Sequence, residues 1–247
     1  LVVEEYNVGP LGTTYRFYVN ANNATDKLSA VFGNDQAPLV INTPEGIYND
    51  AFNSAWNASG INSALFGFFP DLEFDSYATI GLEGPAANVA GAEDPSLVQD
   101  ASLTPTVSGY FQAGGTGLNV NTLTGASWYV LNTAGNAYPQ NGDLSILVMQ
   151  VTSTGPVTGQ LPYQVFPLGD GALNEKYVTP FDGPGTFQGD LFVEVQGCMD
   201  STACNYDPDA NLQPIGICNL PDECGNCNGE ETGPGIPDGA CDCDGNV

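Results

Sequence analysis

The chain has 247 residues, 29 Asp and Glu against 3 Lys and Arg, no His, and a formal net charge of −26. Phosphate recognition needs several Lys or Arg contacts, so nucleic-acid binding is excluded, and anionic lipid surfaces repel the chain for the same reason. The missing histidine removes His-based triads, HExxH zinc sites and His proton relays, while 42% hydrophobic and 13% charged residues give the apolar content of a folded protein.

Short runs rich in Val, Ile, Tyr and Phe, each bounded by Gly, Asn, Pro or Asp, predict strands along the first four fifths of the chain. In order they are TTYRFYVN (13–20), LSAVFG (28–33), SYATIGL (76–82), SGYFQA (108–113), SWYVLN (127–132), LSILVMQV (144–151), TGQLPYQVF (158–166) and LFVEV (191–195). The stretch 48–67 has room for one or two helical turns, against which its Asn and Gly residues count. With 31 Gly and 18 Pro as turn formers, the pattern predicts an all-β fold. The expected architecture is one large β-sandwich or jelly-roll-like domain over 1–196, followed by a small, disulfide-rich, irregular tail over 197–247. Two sub-domains with a break near 91–105 are the alternative for the first part. The longest apolar runs, 65–69 and 146–149, are far too short for a membrane span. The chain opens without a leader and closes inside a cysteine pattern, so a piece of a longer protein, or a processed subunit, is expected.

All seven cysteines, Cys198, Cys204, Cys218, Cys224, Cys227, Cys241 and Cys243, lie in the last 50 residues. Residues 1–196 hold 19 acids and the three bases, and 197–247 hold 10 acids and no base. So short a segment with few large apolar side chains needs covalent support. A single CxxC, Cys224 to Cys227, is a poor basis for zinc, so disulfides and an extracellular or cell-surface location are expected. The odd cysteine is left free or pairs outside this stretch. Asn205, Asp207, Asp209 and Asn211 carry oxygen at alternate positions, as do Asp242, Asp244 and Asn246. Such spacing can converge on Ca2+, and a solvated turn held by Asx hydrogen bonds is the plainer alternative.

GCMDSTACNYDPDAN, PDECGNCNG and CDCDGNV together resemble the GCTDxxACNYDPxA repeat of large secreted proteins of marine bacteria, especially Bacteroidota, and of some algae. The upstream YRFYVNANNATDKLSAVFGND, FFPDLEFDSYATIGL and VTGQLPYQVFPLGDG are similar to the β-domain that often precedes it. The resemblance implies a modular, exported surface or appendage protein and supplies no catalytic residue. The insertion ETGPGIPDGA (231–240) departs from the usual repeat.

Catalytic material is sparse. Glu73 and Asp75 sit near the aromatic Phe69, Phe74 and Tyr77, as a glycosidase acid and nucleophile would. Lys27 and Lys176 are expected in salt bridges, with a Lys–Asn crosslink as the rarer alternative. Asn23 and Asn57 head N-glycosylation sequons in polar, exposed loops. The leading expectation is therefore a non-enzymatic structural subunit of an extracellular filament, appendage or surface layer. Its partners would be copies of itself or other matrix proteins. A calcium-dependent adhesin or glycan-binding module is the alternative, with Trp56 as the exposed aromatic and Trp128 in the core.

Overall fold

The computed structural model describes residues 1–140, 142 and 144–221. The chain divides into two units, Leu1–Phe192 and a second beginning at Val193. The first unit contains β1 (Val2–Gly9), β2 (Gly12–Asn20), β3 (Lys27–Gly33), β4 (Leu39–Asn42), β5 (Tyr77–Ala78), β6 (Ser96–Gln99), α1 (Val107–Ala113), β7 (Gly117–Val120), β8 (Ala126–Tyr129), β9 (Ser145–Ser153), β10 (Thr158–Phe166), β11 (Glu175–Asp182), β12 (Gly185–Thr186) and β13 (Asp190–Leu191).

These strands form two antiparallel sheets, as expected for an all-β sandwich. One is five-stranded, in the order β12-β1-β2-β9-β5. The other is eight-stranded along β13-β11-β10-β3-β8-β6, with β4 joined to β10 and β7 to β4. Strand β10 shares one edge between two partners, β4 along Thr158–Gln160 and β3 along Tyr163–Phe166. Both sheets feed one core. Phe17 and Val151 enter it from the smaller sheet, and Val31, Leu161, Trp128 and Phe181 from the larger. Phe17 meets Phe181 edge-on at 5.1 Å between ring centres, joining the layers directly.

The outer face of the smaller sheet is covered as well. Strand β2 alternates Tyr15, Phe17 and Val19 toward the shared core, yet Thr14 and Arg16 on its opposite face are also buried. They are covered by the largely strand-free stretch between β4 and β6, which brings a second cluster of Ala58, Ile61, Leu72 and Tyr77 against Leu147. A bulge in β9 serves both cores. Phe17 pairs with Met149 and Tyr18 with Leu147, so Val148 is the extra residue. Val148 and Met149 enter the main core, and Leu147 joins the second.

The expected strand at 108–113 is instead α1. Val107, Tyr110 and Phe111 stand at helical spacing and are its buried residues, while Thr106 caps it by accepting the Gly109 N–H. Gly114, at φ 79°, closes it. The strands expected at 76–82 and 191–195 shrink to Tyr77–Ala78 and Asp190–Leu191. The helical turns expected within 48–67 are short 3-10 segments, Ala58–Gly60 and Ser63–Leu65.

The second unit is held by short bridges, Gln196 with Leu212 and Cys198 with Tyr206, and by a Cys198–Cys218 disulfide. Cys204 is disulfide-bonded too. Cys224, Cys227, Cys241 and Cys243 lie outside the described residues. Gly197 is required by packing, since a Cβ there would sit 2.8 Å from that of Ala210. Among the described residues no helix is long and apolar enough to cross a membrane.

Candidate functional site

The covering stretch, the smaller sheet and the connection between β8 and β9 line a cleft of about 470 Å³. Its floor begins with Arg16, the single arginine of the chain, on β2. The Arg16 Nε–H donates to Gln150 Oε1 at 2.9 Å, and Nη2 pairs with Glu83 at 3.0 Å. The guanidinium lies over the Tyr6 ring, 3.5 Å from its centre. Burial works against this charge, but the surrounding Tyr77, Glu83, Tyr18 and Tyr6 oxygens outweigh it and hold the pKa above its ordinary value.

Tyr6 reaches the cleft through a local break in strand geometry. Val3 points into the core, so regular alternation would turn Glu5 inward as well. The register jumps there instead, from Glu5–Tyr15 to Asn7–Thr14, leaving Tyr6 as the extra residue. Its hydroxyl donates to Glu73 Oε1 at 2.8 Å. Burial, then this hydrogen bond, raises the Tyr6 pKa.

Glu73 sits on a 3-10 segment, Pro70–Phe74, that the buried Gln150 fastens to the sheet. Gln150 Nε2 donates to the Glu73 and Asp75 carbonyls at 2.9 and 2.8 Å. Thr152 Oγ1 donates to the Phe74 carbonyl at 2.6 Å. Phe66, Asn88 and Gln140 also line the cleft wall.

Asp75 does not join Glu73 in this cleft. It is buried, with Oδ1 accepting the Asp50 N–H at 2.6 Å and Oδ2 accepting from Asn53 Nδ2 at 2.7 Å. The two carboxylates thus face different surroundings, and the glycosidase-like pair suggested by their spacing is not assembled. Trp56 is half-buried against the main core rather than exposed. Trp128 is buried, as expected, and its indole N–H donates to the Thr79 carbonyl at 3.2 Å.

Exposed aromatic surface lies elsewhere on the covering stretch. Phe68 is 82% exposed, Phe52 55% and Phe69 37%. The rings of Phe52 and Phe69 are 3.9 Å apart between centres. The LFGFF run carried this signal, but as a sequence it is equally a buried strand core.

Lys27 makes no salt bridge among the described residues. Its Nζ donates to the main-chain carbonyl of Asn132 and to Asn132 Oδ1, and lies 4.6 Å from the centre of the Tyr138 ring. The expectation of a carboxylate partner fails because β3 places this buried lysine opposite the run that follows β8, where an asparagine stands.

In the second unit the alternate oxygen side chains serve the main chain. Asn205 Oδ1 accepts the Asn219 N–H at 2.7 Å and Asn211 Oδ1 accepts the Val195 N–H at 2.8 Å. Asp207 Oδ1 accepts the Asp209 N–H at 3.0 Å, as in an Asx turn, and Asp209 itself is exposed. No group of three or more acid or thiol ligands gathers among the described residues. Asp242, Asp244 and Asn246 lie outside them.

The two sequons differ. Asn23 is exposed. Asn57 is buried, with Nδ2 donating to the Pro95 carbonyl and Oδ1 accepting the Ser59 N–H, so exposure fails there. In a host that glycosylates sequons, the folded, secreted chain is expected to carry glycan at Asn23 and none at Asn57. Peptide mapping of soluble material checks this, and a glycan on Asn57 would refute it.

Compared with protein-family models, curated proteins and solved structures, the chain matches none.

Proposed function

We propose that the chain is a structural subunit of an extracellular assembly, such as a filament, appendage or surface layer, and that copies of the first unit associate through the Phe52–Phe68–Phe69 surface. The observation that supports this most directly is the exposure of those three rings on so acidic a protein. Burying a phenylalanine side chain contributes roughly 1.5–3 kcal/mol. A protein with a formal net charge of −26 needs no help with solubility and gains nothing from rings left in water. The disulfide-bonded second unit supports an oxidising compartment.

Like charges oppose such contacts, so association is expected to strengthen with salt. The Debye length shrinks from about 30 Å at 0.01 M to about 3 Å at 1 M, and salt also favours apolar burial. Sedimentation velocity and electron microscopy of the full chain, at both salt levels and with calcium or a chelator, test this. Larger species at high salt that disappear with Phe68→Ser are expected. Monodisperse monomers under every condition would overturn the proposal.

A further inference from the structure

We infer that the Arg16 cleft is a binding site for a neutral, polyhydroxylated ligand, that is, a carbohydrate. The inference is independent of the assembly surface and rests on how the cleft is built and charged.

Its polar groups are held in place before any ligand arrives. Gln150 and Glu83 fix the guanidinium from two sides, Tyr6 lies beneath it, and Glu73 holds the Tyr6 hydroxyl. The β1 bulge that delivers Tyr6 is the sort of irregularity that re-aims a side chain toward a site. The space, about 470 Å³, falls within the range of small-ligand clefts. Phe66 adds an apolar surface suited to the C–H face of a sugar ring.

Charge selects the ligand. The cleft sets two carboxylates, Glu73 and Glu83, against one guanidinium, and Glu83 already pairs with that guanidinium. A ligand carboxylate or phosphate would sit against the negative charge of both Glu83 and Glu73. Hydroxyl groups meet no such obstacle. Glu73 has one oxygen committed to Tyr6, and Glu83 has one committed to Arg16. The second oxygen of each carboxylate remains available to accept from a sugar hydroxyl. Gln150, Glu83 and Tyr18 occupy fewer than the five N–H donors of Arg16, so hydroxyl oxygens find a donor there. Asn88 supplies an amide that can both donate and accept, and Gln140, whose Nε2 already donates to the Gly135 and Tyr138 carbonyls, offers its oxygen.

The test is calorimetric titration of the full chain with neutral tetrasaccharides of glucose, mannose and N-acetylglucosamine, with tetragalacturonate, and with calcium chloride alone. Binding of at least one neutral series is expected, with little or none for the uronate. Glu73→Gln keeps an acceptor for Tyr6 and should weaken binding about tenfold or more, since hydrogen bonds to charged groups contribute about 1.5–3 kcal/mol. Asn88→Ala, at an exposed position, provides a second variant should Glu73→Gln perturb folding. Phe68→Ser, outside the cleft lining, should leave affinity unchanged. Preference for the uronate, a response to calcium alone, no binding to any probe, or neutral-sugar binding indifferent to both cleft variants would each overturn the inference.

Discussion

Replacing Gln150 by leucine is expected to destabilise the first unit by about 3–5 kcal/mol, one of the largest effects of any single polar substitution in the protein. The side chain is fully buried and serves three partners from one amide. Its oxygen accepts from the Arg16 Nε–H, and its nitrogen donates to the carbonyls of Glu73 and Asp75. Leucine has similar bulk but satisfies none of them, so a buried cation, the buried Asp75 carbonyl and the part-buried Glu73 carbonyl lose partners together. The measurement is urea unfolding of the two proteins. Limited proteolysis should in addition show faster cutting within 62–76, the stretch Gln150 fastens to the sheet. A loss below about 1 kcal/mol, the scale of an ordinary surface change, would mean that the seam between sheet and cover is not held as described.

The second large effect is on pH dependence. Burial lifts the Asp75 pKa from 3.8 to about 7, and the nearby Asp50 carboxylate adds to the rise, against the opposing pull of the Asp50 N–H and the Asn53 amide. The folded chain therefore binds a proton more tightly at this position than the unfolded chain does. Between pH about 4 and about 7 the folded state holds the extra proton, so stability from this group falls as pH rises through that window and is level above it. Three pH units correspond to about 4 kcal/mol at most. Asp26 acts with the opposite sign. Burial works against its charge, but its carboxylate accepts the N–H groups of Leu168, Asn23 and Asn22, which together hold its pKa below 3.8, and the stability it supplies is lost as pH falls below that range. The two contributions occupy separate windows and can be resolved by unfolding at a series of pH values. Asp75→Asn should flatten the slope between pH 4 and 7 and leave the acid limb in place. A slope unchanged by that substitution would show that Asp75 titrates normally.

The sandwich was largely legible in the sequence. The runs at 13–20, 28–33 and 158–166 became β2, β3 and β10 with ends displaced by a residue or none, because β-branched and aromatic residues there sit between clear turn signals. At 107–113 a different period prevailed. Val107, Tyr110 and Phe111 bury one helical face, and the Thr106 cap and Gly114 were readable as its ends. Strands β1, β4, β6, β7 and β11 were not anticipated. Several are short, and β1 carries two adjacent acids and the bulge at Tyr6, which obscures its alternation.

The cleft was much less legible, because it depends on contacts across long sequence distances. Glu73 stood out beside its aromatic neighbours, but its partner is Tyr6, 67 residues earlier, rather than Asp75. Arg16 could have been noticed as the only arginine in a strand whose two faces alternate. Nothing local distinguishes Gln150 in LSILVMQV. Asn57, by contrast, looked exposed because Asn, Ser and Gly surround it, and only its bond to Pro95 reveals the buried setting.

The scarcity of basic residues acquires another meaning once the three are placed. Arg16 lies in β2, Lys27 in β3 and Lys176 in β11, all within paired strands. A protease of trypsin type, which cuts after arginine or lysine, finds no other site along the whole 247 residues. Each site becomes available only when its strand leaves a sheet, so cleavage must wait for opening of the sandwich. To any such enzyme, the composition that argues against phosphate recognition also makes the folded chain a poor meal.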